Sequence, residues 1–391
     1  MSDTVLVAAL AVGLTTPPRN GGSVLVQSVL RTLEDSNHRV TLLALRHAED
    51  RGELADYYPH ETIRERRLVP SRRGAVSRAR RAITAVASGM PRSQVAYRGE
   101  RRWVHQMVRE LEPDVVVAFG LAAGTAARAA GRPTLIMQFS LPEDDARRSR
   151  LGAVERWLAA RWQASLAKTA TVLTAAVESE AHRLAERFPR KVVRTMPFAI
   201  HTTELQSGSI GTPTVLFVAD WVYEPNCLGL EALIAHVMPI VWQVRPDVEL
   251  RLAGNGSDRL AKVLDERVVV MGTYGALRDV SDDATVAVLP LIDAGGVRTR
   301  VFELMAAGLP IVATPQAVAG LHLARGDCAV ESTWPSFADA LVALLLEPAK
   351  RDELRSAGRD FLRRFADPAA VAHRWNEVLR ETVGASPARH P

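Results

Sequence analysis

"DAGGVRTRVFELMAAGLPIVATP", residues 293–315, decides how the chain folds. It follows the apolar run "VAVLPLI" (286–292) and ends in another, "PIVAT" (310–314). Both are short, β-branched and continuous, as suits strands buried on both faces of a parallel sheet. Between them the pattern predicts a helix from about Val297 to Ala307. Gly308 stands where a left-handed residue ends a helix, and Pro310 lies just beyond it. A strand, a glycine turn, a helix and a parallel strand form one unit of a doubly wound α/β domain.

The same alternation extends in both directions. Upstream the buried-strand runs are 5–12, 40–45, 114–119, 134–139, 169–175 and 192–198. A polar stretch, "AIHTTELQSGSIGTP" (199–213), interrupts the pattern and reads as a linker. It then restarts with 214–219, 248–254 and 268–272, before the runs already quoted. This predicts two doubly wound, Rossmann-like domains facing each other across a cleft, over about 1–205 and 206–367. Ligands of such domains bind at the carboxyl ends of the strands. In the remaining segment, 368–391, Val371, Trp375, Val378 and Leu379 share one helical face, suited to packing back on the first domain.

Bulk composition agrees with two domains. A chain of 391 residues exceeds the size at which single cores stop growing, and 47% apolar with 24% charged residues is an ordinary globular balance. Two cysteines provide neither a disulfide framework nor a metal spacing, which suits a reducing cytoplasm. The net charge is +5, but arginine outnumbers lysine 45 to 4, a ratio read as coding bias in a GC-rich bacterium. "VLVAALAVGL" near the start is preceded by Asp3 and by no basic residue, so it reads as a buried first strand rather than a signal sequence. No apolar run reaches the ~18 residues of a membrane helix.

The opening stretch also carries charges that packing does not require. A glycine turn entering a helix directs free N–H groups and the positive dipole end at an anion. Gly295 and Gly296 have no β-carbon to keep a phosphate away. Arg298 and Arg300 oppose the dipole unless an anion sits between them and it. Glu303 lies seven residues past Gly296, roughly 10 Å along the axis at ~1.5 Å per residue, about the span from a pyrophosphate to its ribose. The alternative is a plain i,i+3 surface ion pair between Arg300 and Glu303.

The stretch "DAGGVRTRVFELMAAGLPIVAT" resembles the donor-site signature of group 1 (family 4) glycosyltransferases of the GT-B fold. "FVADWVYEPNCLGLEALIAHVMPIVWQVRPDVELRLAGNG" (217–256) resembles the same family's first strand, loop, helix and second strand, with "EPN" and the Gly-x-Gly at 254–256 in place. The likeness covers 214–330; the first domain matches loosely, through "PPRNGGS" and "NHRVTLLAL". It implies transfer of a sugar from a nucleotide diphosphate sugar, as co-substrate and without a further cofactor, to a hydroxyl acceptor with retained configuration. Arg300 and the N–H groups of Gly296 and Val297 would take the pyrophosphate, with Gly295 and Arg298 beside them and Glu303 on the ribose. Asp220 would orient donor or acceptor. Gly21 and Gly22, in the loop entering a helix at Ser23, would approach the phosphates across the cleft or serve only as an ordinary helix start.

The chain departs from the family at three points. Gly295 stands where the family's first acid is expected, with seven residues between it and Glu303, and Asp293 is the nearby substitute. The loop "DWVYEPN" carries no cation. Phe119 and Gly120 occupy the place of a histidine after the fourth strand. Arginine and a helix end would neutralise the diphosphate without metal, and "EDD" (143–145) and "SDD" (281–283) read as solvated acids. Residues 62–102, with twelve arginines against two glutamates, read as a solvated helix face or as contact with an acidic or lipid-linked acceptor at a membrane surface. Nothing resembles a nucleic-acid module. The acceptor class stays open among sugars, lipid-linked sugars and natural products, in cell-surface polysaccharide or antibiotic assembly. A nucleotide-sugar epimerase, a sugar phosphorylase and a non-catalytic partner of another transferase are the competing expectations.

Overall fold

The computed structural model describes residues 4–14, 16, 21–47, 52–58, 62–68, 100–128, 130–138, 152–200, 213–260, 265–292, 299–321, 323, 326–330 and 333–385, without the side chains of 152–156, 329 and 330. They form two fully parallel sheets. The first has β1 (Leu6–Val12), β2 (Arg39–His47), β3 (Thr62–Leu68), β4 (Val115–Phe119), β5 (Thr134–Gln138), β6 (Val172–Ala175) and β7 (Val192–Thr195), in the order β3-β2-β1-β4-β5-β6-β7. The second has β8 (Thr214–Val218), β9 (Glu249–Ala253), β10 (Val268–Gly272), β11 (Val286–Leu289), β12 (Ile311–Ala313) and β13 (Ala329–Val330), in the order β10-β9-β8-β11-β12-β13. Strand order therefore reverses between β1 and β4 and again between β8 and β11. At such switch points the loops leave in opposite directions and open a crevice.

Both faces of each sheet are covered, as the continuous apolar strands require. Along β1, Val7, Ala9 and Ala11 pack on one side and Ala8 and Leu10 on the other. The first side is closed by α1 (Gly21–Asp35) through Leu25, Val26, Val29, Leu30 and Leu33. The other is closed by α2 (Arg101–Leu111), α3 (Gly120–Ala127) and α4 (Gly152–Thr169), through Val104, Val108, Ala123, Trp162 and Leu166. Helix α5 (Glu178–Arg187) links β6 to β7.

In the second sheet Val215, Phe217, Leu250, Val286 and Val288 face a helix made of α6 (Glu224–Ala232), a π-turn (Leu233–Val237) and α7 (Met238–Val244). By length and composition Glu224–Val244 could cross a membrane. Here, however, Leu230, Leu233, Val237, Met238 and Val241 bury one side of it in the core. The short α8 (Arg278–Ser281) lies between β10 and β11, and α9 (Thr299–Ala306) covers the opposite face between β11 and β12. Gly308 adopts φ +69, and the N–H groups of Gly308 and Leu309 close on Met305 and Leu304 carbonyls at 3.0 Å, the left-handed helix stop expected from the sequence.

Three helices end the chain: α10 (Trp334–Leu346), α11 (Pro348–Phe365) and α12 (Pro368–Gly384). The last packs on α1 of the first sheet, burying Val371, Trp375, Val378 and Leu379, each apolar side chain contributing roughly 1.5–3 kcal/mol. Polar contacts fix its rotation. His38 Nε2 lies 2.6 Å from Asn376 Oδ1, and Arg194 donates to both carboxylate oxygens of Glu381 at 3.1 and 2.7 Å.

Two strands are absent from the sequence expectation. β3 reads "TIRERRL", with its residues exposed or half-buried, and pairs only with β2 at the sheet edge. An edge strand needs no buried face, and its charges discourage pairing with other chains. This also corrects the start of the arginine-rich segment, which is an edge strand over 62–68 rather than a helix face; 69–99 lie outside the described residues. β13 has two residues and carries no periodic signal. A third correction concerns Gly21 and Gly22: they are the first two residues of α1, not a loop entering it at Ser23.

Candidate functional site

The second switch point brings together three of the residues singled out in the sequence. Asp220 follows β8, while Arg300 and Glu303 lie on α9 after β11. Because β8 and β11 are neighbours, their carboxyl-terminal loops share one crevice.

Arg300 is held from two sides. Its Nη1 donates to the Tyr274 hydroxyl at 3.0 Å and stands 3.4 Å from Glu303 Oε2. Its side chain is 19% exposed and that of Glu303 16%, so the pair is not the solvated surface contact offered as an alternative. Burial works to lower the Arg300 pKa, but the negative fields of Glu303 and Asp220, with the hydrogen bond to Tyr274, outweigh it. The guanidinium is therefore held above its ordinary value and stays charged. The Tyr274 phenol is also raised, chiefly by burial and further by Glu303, against the opposing pull of Arg300. It stays neutral up to its ordinary pKa of 10.0 and beyond. The folding stability that follows from this shift is complete below that pH and is lost as pH rises through the folded-state value.

Glu303 Oε2 is buried and receives no hydrogen bond from the described residues, although Arg300 lies within ion-pair range. A buried carboxylate oxygen without a donor costs free energy, and it is suited to a ligand hydroxyl.

Asp220 is positioned by the neighbouring loop. Its Oδ1 accepts from the Val222 N–H at 3.2 Å and from Asn255 Nδ2 at 3.1 Å. Asn255 in turn accepts from the Trp221 N–H through its carbonyl at 2.8 Å, and Asn226 Nδ2 donates to the Asp220 carbonyl at 2.8 Å. This lacing requires Gly254. It has φ +127, and a β-carbon there would lie 1.9 Å from the Ala219 carbonyl oxygen, so no side chain fits.

Gly295, Gly296, Val297 and Arg298 lie outside the described residues, as does Asp293. Gly21 and Gly22 open α1, whose body packs against α9, so the helices that follow the two switch points touch. "SDD" points away from the crevice in part, since Asp283 pairs with Arg251 at 2.6 Å. Among the described residues no three His, Cys, Asp or Glu side chains come together as metal ligands.

Sequence reasoning missed Tyr274 and Asn255. Asn255 sits inside the quoted Gly-x-Gly, where only the glycines drew notice. Tyr274 follows a strand that ends in Gly272, and a polar aromatic just beyond such a strand in a doubly wound sheet is a usable signal.

Two parallel, doubly wound α/β domains with a polar cluster at the carboxyl edge of the second define a GT-B-type architecture. Residues 20–199 match the model of the glycosyl transferase 4-like domain, and 212–347 that of glycosyl transferases group 1. The chain belongs to the group 1, family 4-like glycosyltransferases. Sucrose-phosphate synthase from Thermosynechococcus elongatus superposes with TM-score 0.72 at 16% identity, over 97% of this chain and 99% of that one. Anabaena Alr3699/HepE, in complex with UDP-glucose, gives 0.70 at 13% identity over 97% and 100%. A putative UDP-N-acetylglucosamine 2-epimerase from Listeria monocytogenes gives 0.61 at 13% identity over 98% of each chain. No curated protein matches the sequence.

Proposed function

We propose that the chain transfers a sugar from a nucleotide diphosphate sugar to a hydroxyl acceptor with retained anomeric configuration and without metal. The observation that carries this reading is the Arg300–Tyr274–Glu303 cluster. It offers a fixed, half-buried cation beside a carboxylate oxygen that no described residue hydrogen-bonds. Arg300 faces the pyrophosphate, on which charge develops as the sugar leaves, and preorganised donors lower a barrier most at that position. Glu303 accepts from the ribose hydroxyls, and Gly296, Val297, Gly295 and Arg298, which precede α9 in the sequence, complete the anion site. Asp220, held by Asn255, orients donor or acceptor, and Gly21 and Gly22 approach the phosphates from α1. The leaving phosphate takes the acceptor proton, so no protein base is required.

The Anabaena neighbour holds UDP-glucose, which makes UDP-sugars the first donors to try. The acceptor is a sugar, a lipid-linked sugar or a natural product of bacterial surface-polysaccharide or antibiotic assembly. The working place is the cytoplasm, with the arginine-rich 62–102 against a membrane. Release of nucleotide diphosphate from a panel of UDP-, GDP- and dTDP-sugars tests the reading; no release and no binding with any of them overturns it. Because a putative epimerase shares the fold, acceptor-free interconversion of a UDP-sugar is the outcome that would replace transfer by epimerisation.

A further inference from the structure

A cavity of about 320 Å³ lies where three parts of the chain meet. Its walls are the carboxyl ends of β6 and β7, α9 with the loop after β12, and the junction of α11 and α12. Phe198 comes from the first part, Phe302 from the second and Phe361 from the third; Phe198–Phe302 and Phe302–Phe361 ring centroids are 4.8 and 5.4 Å apart. Phe302 is two residues from Arg300 on α9, so it points roughly 200° away from it. The cavity is therefore separate from the Arg300 cluster.

The cavity opens to solvent, and apolar surface makes up the larger share of its lining. A space of this size floored by phenylalanines is thus suited to an apolar guest. Its polar rim is unequal. Arg364 is engaged by Asp327, both of whose carboxylate oxygens lie 3.0 Å from Nη2. Glu178, on the facing wall, belongs to the first turn of α5, where an acid complements the helix dipole. Arg374 lines the same cavity, is exposed, and makes no ion pair with any described residue.

We infer that this cavity is a binding site for a small amphiphilic monoanion, its aliphatic or aromatic body lying over the floor of Phe198, Phe302 and Phe361 and its acidic head on Arg374. The guest touches both sheets' domains and α12 at once.

The test needs no sugar donor, so it stands or falls apart from the transferase reading. The full-length protein is titrated with the fluorescent aryl sulfonate 1-anilinonaphthalene-8-sulfonate, then competed with decanoate and with decanol. Saturable one-to-one binding is expected, with decanoate displacing the dye at about tenfold lower concentration than decanol. Ala370→Phe fills the mouth from an exposed position whose backbone N–H caps on Asp367, so the fold is kept and dye binding is abolished. Arg374→Glu weakens decanoate by about tenfold and leaves decanol unchanged. Non-saturating dye fluorescence, or binding unaltered by Ala370→Phe, overturns the site. Equal competition by decanol overturns the anionic head.

Discussion

The two switch points are built alike in backbone and differently in side chains. After β8 and β11, polar groups hold one another over the crevice: Asp220 on Asn255, Arg300 between Tyr274 and Glu303. At the ends of β1 and β4 the described residues are apolar or turned inward. Phe119 is buried and Gly120 opens α3 directly, while Arg46, near the carboxyl end of β2, is only 1% exposed. Arg46 donates to Glu65 at 2.9 Å, to Thr16 at 3.2 Å and to the Gly52 carbonyl at 2.7 Å, tying loops together. One edge keeps its charges beside the crevice, and at the other Arg46 is spent on neighbouring side chains and a loop carbonyl. Under the proposed function, a diphosphate would meet the second edge and an acceptor the first.

The largest break in that contrast comes from Arg300→Ala. Loss of a preorganised cation from the leaving diphosphate should lower kcat/KM by about 10²–10³, read in a donor-release assay, with folding kept by far-UV circular dichroism. A fall below tenfold would remove Arg300 from the reaction. Glu303→Ala should weaken donor binding by about 1–3 kcal/mol, measured by calorimetry with the nucleotide diphosphate alone; unchanged affinity would leave Glu303 only its ion pair. Arg46→Met tests the other edge. It should cost about 2 kcal/mol of stability in urea unfolding, discounted because Glu65 is 32% exposed, and leave donor affinity unchanged. Weaker donor binding there would mean that both edges meet the donor. The smallest effect belongs to Tyr274→Phe. Removing one hydrogen bond to a charged group should cost about 1.5 kcal/mol in nucleoside diphosphate affinity and nothing in nucleoside monophosphate affinity. Equal losses for both would place Tyr274 against the base or ribose instead.

Much of the fold was legible because a doubly wound sheet writes itself locally. Eleven strand positions follow from continuous apolar runs, and the stop of α9 follows from Gly308 and Pro310. β3 was not legible, because an edge strand lacks the buried faces that make such a run, and β13 is too short to show a period. Within the site, Arg300 and Glu303 could be read from helical spacing, since i and i+3 meet on any helix. Tyr274 could not, for its partner lies 26 residues away and meets it only when β10 and the α9 helix are set in place by the sheet order.

The sequence by itself determined the parallel α/β class, the donor-type signature at 293–315 and the apolar face of α12, all carried by patterns within about twenty residues. The tertiary structure alone decided which loops share a crevice, that Asn255 steadies Asp220, and that Phe198, Phe302 and Phe361 enclose a cavity. Those relations join residues distant in the chain, and contacts of that kind are set by strand order and helix packing rather than by any local periodicity.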